Sequence, residues 1–400
     1  MSYEIAATGL NAVNEQLDGI SNNIANSGTV GYKSQTTQFS AMYAGTQAMG
    51  VSVAGTAQSI SRGGSMVSTG NALDLAIDDD GFFVMCDSAG NISYTRAGSF
   101  TTDKNGYIIN ASNDYLQGYP VDDSGTLQTG TVTDIQIKTG NIPAQATDSM
   151  TFTANLNASD EVVDRSTVTF DPTNVDSYTD SYTTTVYDSL GNEHSISQYF
   201  TKTADNTWEV QFTFDGEQQT SAPSMTLTFD PNTGKLTSPT SPQTITFQTD
   251  EAAPISMTVD YSDCTQYGSD FSVTTNSANG YASAEQNGVQ VDDDGKVYAT
   301  YSNGERMLQG QVVLATFPDE NGLQAVSGTA WVQTGQSGTP LIGVPGSGSC
   351  GTLSSGMLES SNVDITTELV DLMTAQRNYQ ANTKVISTST QLDQALFQAM

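Results

Sequence analysis

Positive charge is scarce in this chain of 400 residues: 12 lysines and arginines stand against 44 aspartates and glutamates, a formal net charge of −32. That balance argues against nucleic acid as a partner, because phosphate backbones are held by Lys and Arg. It argues equally against an anionic membrane surface. Histidine is rarer still, with His194 alone. The three cysteines, Cys86, Cys264 and Cys350, lie far apart, with no CxxC and no His/Cys cluster. Neither a zinc site nor a full disulfide framework fits that pattern. No apolar run approaches the ~20 residues that cross a bilayer. The opening MSYEIAATGLNAV has no basic stretch and no unbroken apolar core, so no Sec-type leader is expected. Proline is missing before Pro120 and after Pro345, which frees both ends of the residue that breaks helices.

The charge that is present is unevenly placed. Residues 1–60 carry three acids and one base, and residues 361–400 carry four acids and two bases. The stretch 61–360 carries 37 acids and nine bases. Nearly neutral ends are suited to packing against copies of themselves, whereas the acidic middle repels its neighbours and stays soluble at high density.

Helical periodicity is confined to those neutral ends. Ala6, Leu10, Val13, Leu17, Ile20 and Ile24 recur at alternating spacings of four and three, a heptad seam. Gly9 and Gly19 interrupt it, each at about 1 kcal/mol against Ala. Two or three such heptads do not stand alone in water, so the seam needs a partner. A second stripe, Ile365, Leu369, Leu372, Tyr379, Ile386 and Phe397, predicts a helix from about Asp364, its N-cap or first-turn acid, to near Met400. Gln376, Thr383, Thr390 and Asp393 dilute that stripe.

Between the ends the sequence reads as β. Strand-like runs such as Leu73–Ile77, Phe82–Cys86 and Ile135–Lys138 are separated by Asp80-Gly81, Ala89-Gly90-Asn91 and Asn105-Gly106 turns. A second block follows, in which Trp208–Phe214 alternates apolar and polar side chains as a half-buried antiparallel strand does. A third block includes Val297–Tyr301, Gln311–Phe317 and Ala330–Thr334. Boundaries fall after Pro143 and in the polar run Thr274–Gly280. If the terminal helices pair, the chain goes out and returns, and the middle block is an insert within another domain. The expected fold is mainly β with terminal α-helices. Its β domains are nested, the inserted outer one a barrel or sandwich, and the N- and C-terminal helices form a coiled-coil-like inner core on assembly.

Chemistry-bearing motifs fail on context. Gly346-Ser347-Gly348-Ser349-Cys350-Gly351 matches GxGxxG literally but lacks the strand before it and the helix after it that dinucleotide binding requires. Asp78-Asp79-Asp80-Gly81 and Asp292-Asp293-Asp294-Gly295 lack the twelve-residue spacing and closing Glu of a calcium loop, and read as turns. His194 and Ser195 are neighbours on a strand and point to opposite faces, so they form no triad, and His194 is expected exposed beside the Gly191-Asn192 turn. No catalytic residue, cofactor or metal site is predicted.

Ile20-Ser21-Asn22-Asn23-Ile24-Ala25-Asn26-Ser27-Gly28-Thr29-Val30-Gly31-Tyr32-Lys33 resembles the N-terminal signature of the flagellar rod, hook and hook-associated axial proteins. Ser360–Asp364, Glu368-Leu369-Val370 and Ala375-Gln376-Arg377-Asn378-Tyr379-Gln380 resemble the matching C-terminal signature. Ala72–Ile77 leading to Gly81-Phe82-Phe83, and Leu116–Pro120, are also similar to the family. Val186–His194 and Gly310–Ala315 resemble its hook members in particular.

The resemblance implies a non-enzymatic subunit of a curved, flexible tube that carries torque from rod to filament, located in the extracellular flagellum and exported by the flagellar type III apparatus. Residues 1–30 form the inner helix, 31–70 a linker region, 71–145 and 284–358 a middle β domain, 146–283 an outer β domain, and 359–400 the returning linker and helix. The polymerisation seam comprises Leu10, Val13, Leu17, Ile20, Ile24, Leu369, Leu372, Tyr379 and Ile386. The family signature positions are Ala25, Asn26, Gly31, Tyr32, Lys33, Ala375, Gln376, Arg377 and Tyr379. Implied partners are many copies of the same chain, the distal rod, the hook cap, the hook–filament junction proteins and the export apparatus. Ser34–Gly70, rich in glycine, serine and threonine, is expected to keep the joint pliable. By resemblance the distal rod subunit carries a longer insert there. Two other readings stay open: a distal-rod-like axial subunit, and a secreted β-rich adhesin or polysaccharide-active protein.

Overall fold

The computed structural model describes residues 2–44, 47–122, 125–219, 224–249 and 252–399. Met400 and the side chains of Asp393 and Phe397, named above, lie outside the described set. The chain forms two compact units, one of residues 1–139, 287–300 and 306–400, the other of 140–286 with 301–305.

In the first unit the seam folds as helix α1, Ser2–Ala25, and the second stripe as α2, Ile365–Ala399. At the end of α1 the Asn26 side-chain amide and the Ser27 hydroxyl donate to the carbonyls of Asn22 and Ile24, adding to the backbone N–H bonds that Asn26 and Ser27 make to the same two carbonyls. At the start of α2 the Asp364 carboxylate accepts from the backbone amides of Thr366 and Thr367. Those amides hold the Asp364 carboxyl below its usual range. Threonines that dilute the α2 stripe are satisfied on their own helix: Thr383 donates to the Tyr379 carbonyl and Thr390 to that of Ser387.

The segment after α1 is not the loose linker its composition suggests. It is a long antiparallel hairpin of β1, Gln35–Ala44, and β2, Gln47–Gln58, with register shifts at Gln38/Phe39 and Met42/Tyr43. Small and polar side chains on both faces hide its strand period, and the apolar ones, such as Phe39, Met42 and Tyr43, remain exposed. The hairpin lies close on α1. Gly50 has φ +114°, and a Cβ there would fall 2.2 Å from Thr8 Oγ1, so only glycine lets the two backbones approach.

The β part of this unit interleaves both halves of the chain. Strand Phe82–Cys86 pairs with Ile92–Thr95 and Tyr115–Pro120 from the outgoing half and with Leu314–Thr316 from the return. Thr352–Ser355 pairs with Leu75–Asp78, and Met357–Glu359 with Met66–Ser68. Phe82, Val84, Tyr94, Val313, Phe317 and Trp331 form the shared core, with the Phe82 ring edge-on to Phe317 and Trp331. The run Gln311–Phe317 is broken at Val313, so its two parts join different neighbours. Ile135 and Ile137 are buried, but the strand there is only Thr133–Asp134.

The second unit is a sandwich of two five-stranded sheets. Trp208, Val210, Phe212 and Phe214 point inward from one strand, paired antiparallel on both sides, and meet Phe152, Phe247, Met257 and Val259 of the facing sheet. Its chain enters and leaves side by side, with Ile142 bridged to Ala284 and Gln145 to Tyr281. The nested, mainly β architecture with terminal helices is therefore the one the sequence predicts.

Candidate assembly interface

The seam residues of α1 are drawn to one side. Val13 and Ile20 are buried with Ala375 of α2, and Leu17, Ile24 and Leu372 pack around them. Asn23 bonds Glu368 near one end and Gly9 faces Asn382 near the other, so the helices run antiparallel. A Cβ on Gly9 would sit 2.9 Å from the Asn382 amide, which explains why this glycine interrupts the seam. Leu10 and Ile386 are half-buried.

The α2 stripe is split. Leu372 packs against α1. Leu369 and Tyr379, read as seam residues with it, are 46% and 39% exposed; at about 3.6 residues per turn Tyr379 shares the side of Leu372, Ala375 and Asn382 that meets α1, and Leu369 lies on its flank. Leu369, Val370, Met373, Val385 and Leu392 make an apolar outward side that no described residue covers. A heptad template groups positions by spacing alone; Ala375, too small to register as a stripe residue, lies on the contact side and brings the helices close.

The signature residues converge on a polar junction between the two chain ends. Gly31 takes φ +70°, and a Cβ there would meet the Ala97 nitrogen at 2.5 Å. The turn it makes delivers Lys33 into the interior, where Nζ donates to Glu359 Oε1 at 2.7 Å and to the Arg62 carbonyl at 2.9 Å. Burial pushes the Lys33 ammonium pKa down, and the Glu359 carboxylate works against that shift. Glu359 Oε1 also accepts from the Gly64 amide, and Arg96 lies 3.8 Å from Oε2. Tyr32 donates to Asn23 Oδ1; burial raises its phenol pKa. Asn23 also bonds the Gln35 backbone through both its donor and its acceptor. Asn362 accepts from Ser34 N and donates to the Ser59 and Arg62 carbonyls, and Arg62 returns a bond to the Asn362 carbonyl. Of the other signature positions, Asn26 is half-buried, and Ala25, Gln376 and Arg377 are exposed. Glu359 and Arg62 are absent from the sequence-derived site. The signal for Glu359 was Lys33 itself: the one base among the first sixty residues, once buried, requires a carboxylate.

The remaining motifs have structural roles. Gly346–Gly351 is a turn between strands Leu341–Gly343 and Thr352–Ser355, with no helix behind it. Asp78–Gly81 and Asp292–Gly295 are turns, with φ +73° at Asp79 and +131° at Gly81 in the first. The cysteines are free thiols, and burial raises the Cys264 pKa to about 11. His194 is not exposed as predicted: its ring is 18% accessible, stacked on Phe214 and bonded to Asp215 and Asp188. Both ring nitrogens are thereby committed to carboxylates, leaving neither to take a proton from Ser195.

Residues 4–33 match the flagella basal body rod protein family, 76–155 the flagellar hook protein FlgE/F/G D1 domain, 155–281 the flagellar basal body protein FlaE D2 domain, and 354–399 the flagellar basal body rod FlgEFG protein C-terminal region. The chain is 38% identical over 399 residues to the flagellar hook protein FlgE of Escherichia coli K12, covering 98% of each chain. It is 32% identical over 392 residues to that of Brucella suis, covering 96% of this chain and 95% of the relative. The crystal structure of Helicobacter pylori flagellar hook protein FlgE2 superposes with a TM-score of 0.56 at 14% identity, over 74% of this chain and all of that one, a likeness of fold. With nearly full-length identity of this order, the chain belongs to the flagellar hook protein FlgE family, whose members are structural subunits and not enzymes.

Proposed function

We propose that this chain polymerises into the tube of the bacterial flagellar hook, with the exposed face of α2 covered by helices of neighbouring copies. The observation that carries this reading is the uncovered outward side of α2, with Leu369, Val370, Met373, Val385 and Leu392. Among the described residues, the apolar cluster between α1 and α2 buries just Val13, Ile20 and Ala375. A buried Val or Ile contributes about 1.5–3 kcal/mol. That is small beside about 1–2 kcal/mol of backbone entropy per ordered residue in two long helices. The helices gain the rest from other subunits. Leu10, Val13, Leu17, Ile20, Ile24, Leu372, Tyr379 and Ile386 then hold each subunit's pair together, while Leu369 and its outward neighbours join pairs to one another.

In this arrangement the helices line the inner tube, the β part of the first unit surrounds them, and the sandwich of 140–286 faces solvent. The tube transmits torque from rod to filament. Its outer contacts slide as it bends, which suits an acidic, wet surface. The distal rod, the hook cap and the hook–filament junction proteins are its axial neighbours, and the flagellar type III apparatus exports it. The inserted sandwich, matched by the FlaE D2 domain family, favours a hook over a distal-rod subunit.

The test is Leu369→Asp/Met373→Asp, two changes on the exposed side of α2, away from Ala375 and its contact with α1. Electron microscopy of purified protein is expected to show helical tubes for the unmodified chain and none for the variant, with unchanged far-UV circular dichroism of the β domains. Tubes of normal yield from the variant would overturn the assignment of this face.

A further inference from the structure

The only histidine of the chain bridges two carboxylates on different elements of the sandwich unit. His194 Nδ1 lies 2.7 Å from Asp215 Oδ2, and Nε2 lies 3.4 Å from Asp188 Oδ2. Asp215 follows the strand Thr207–Phe214, and its Oδ1 accepts from the Ser195 amide. Asp188 opens the turn that joins Asp180–Tyr187 to Glu193–Ala204; its side chain is 2% accessible. It accepts from Leu190 N, Asn192 N and Asn192 Nδ2. Glu217 lines the same polar groove, with Gln218, Gln219, Gln248 and Thr249, and among the described residues no Lys or Arg does. Glu193, the preceding residue on the strand, points to the opposite face.

The chemistry of the ring makes this bridge conditional. A neutral imidazole has one N–H and one lone pair; only the imidazolium donates from both nitrogens. In either neutral tautomer one carboxylate faces a lone pair. The shorter bond to Asp215 favours keeping the proton on Nδ1, so the contact that fails on deprotonation is the one to Asp188. That contact fastens the 188–192 turn, which rests on the stem where the chain enters and leaves the unit. A Cβ on Gly191 would meet Ala144 Cβ at 2.8 Å and Ser283 N at 3.4 Å, and Thr147 bonds Tyr187 in both directions.

We propose that His194 is a pH-dependent clamp: as imidazolium it holds the 188–192 turn to Asp215, and on losing its proton it frees that turn beside the stem of the sandwich. Burial alone lowers the pKa of this imidazole, and the Asp215 and Asp188 carboxylates outweigh it, leaving a net rise from 6.5. Asp188 and Asp215 are both held below the usual carboxylate range. The sign follows: the stabilisation is complete below the unfolded value and is lost as pH rises through the raised folded value.

A single histidine makes the test direct, because ring-labelled full-length monomer gives one imidazole signal. Titration by NMR from acid to alkaline pH is expected to give both ring nitrogens protonated on the acid side of a single midpoint that lies above that of a free histidine, ~6.5. Asp215→Asn should lower that midpoint. Protection factors of the Leu190 and Asn192 amides, corrected for intrinsic exchange, should fall at least about threefold across the midpoint. In His194→Gln that pH dependence should vanish. A midpoint at or below ~6.5 that ignores Asp215→Asn would overturn the proposal. So would protection that does not change across the midpoint, or that keeps its pH dependence in His194→Gln.

Discussion

Lys33 illustrates how much one side chain can hold once it leaves water. Its ammonium is 1% accessible and its partner Glu359 2%. Removing one member of such a pair strands the other charge, at about 3–5 kcal/mol, whereas replacing both with apolar groups is often neutral. Lys33→Met is therefore expected to lower the unfolding free energy of the first unit, measured by urea denaturation, by an amount in that range. Lys33→Met/Glu359→Leu should recover most of the loss, leaving the Gly64 amide without its acceptor. Equal destabilisation in the single and double variants would mean that shape, not charge, governs this site. The sequence made Lys33 legible through the signature around it, and Gly31 with it. It left Glu359 and Arg62 unread, because they reach the junction across a fold of more than 290 intervening residues, as the Arg62–Asn362 and Lys33–Glu359 separations of 300 and 326 show. A contact of that kind leaves no local period to detect.

The helices and the hairpin separate what is written locally from what is not. Period alone located α1 and α2, since spacings of three and four need no tertiary knowledge. Period did not tell which side of α2 meets α1: that depends on Ala375, Gly9 and Asn382, whose size, rather than hydrophobicity, decides the approach. β1 and β2 were unreadable because a hairpin lying on a helix needs close contact more than an apolar face, and Gly50 supplies it. The two sides of the helix pair predict two distinguishable defects. Ile20→Asp buries an unpaired charge between α1 and α2 and costs several kcal/mol. Polymerisation is expected to be abolished and helical content in the monomer to drop, with the near-UV spectrum of the sandwich unchanged. Normal assembly by this variant, measured by sedimentation, would place the seam elsewhere.

At the scale of the whole chain, nesting was legible from the ends: two terminal helices that pair oblige everything between them to go out and return. Pro143 lies close to the start of the second unit at 140, but the polar run Thr274–Gly280 is no boundary: through Ala278 it belongs to the strand Ser272–Ala278, and the unit continues to 286. The pairing of its strands depends on register that alternation does not encode. Because Ile142 and Ala284 are bridged where the sandwich begins and ends, the segment can be cut out across a short gap. Deleting 146–283 and joining the stem with a short Gly-Ser link is expected to leave a monomer that folds and polymerises, with altered tube curvature or bending stiffness seen by electron microscopy. A folded monomer that never polymerises would show that the sandwich makes obligatory contacts.

The stitching of Asn23 to Glu368, Lys33 to Glu359 and Ser34 to Asn362 also determines where mechanical load travels. A pull applied to α1 passes across these bonds directly into the start of α2. Glu359 also ends the strand Met357–Glu359, paired with Met66–Ser68, so part of any such load enters the first pair of strands. The chain between these points is bypassed by the shortest covalent and hydrogen-bonded route from one helix to the other.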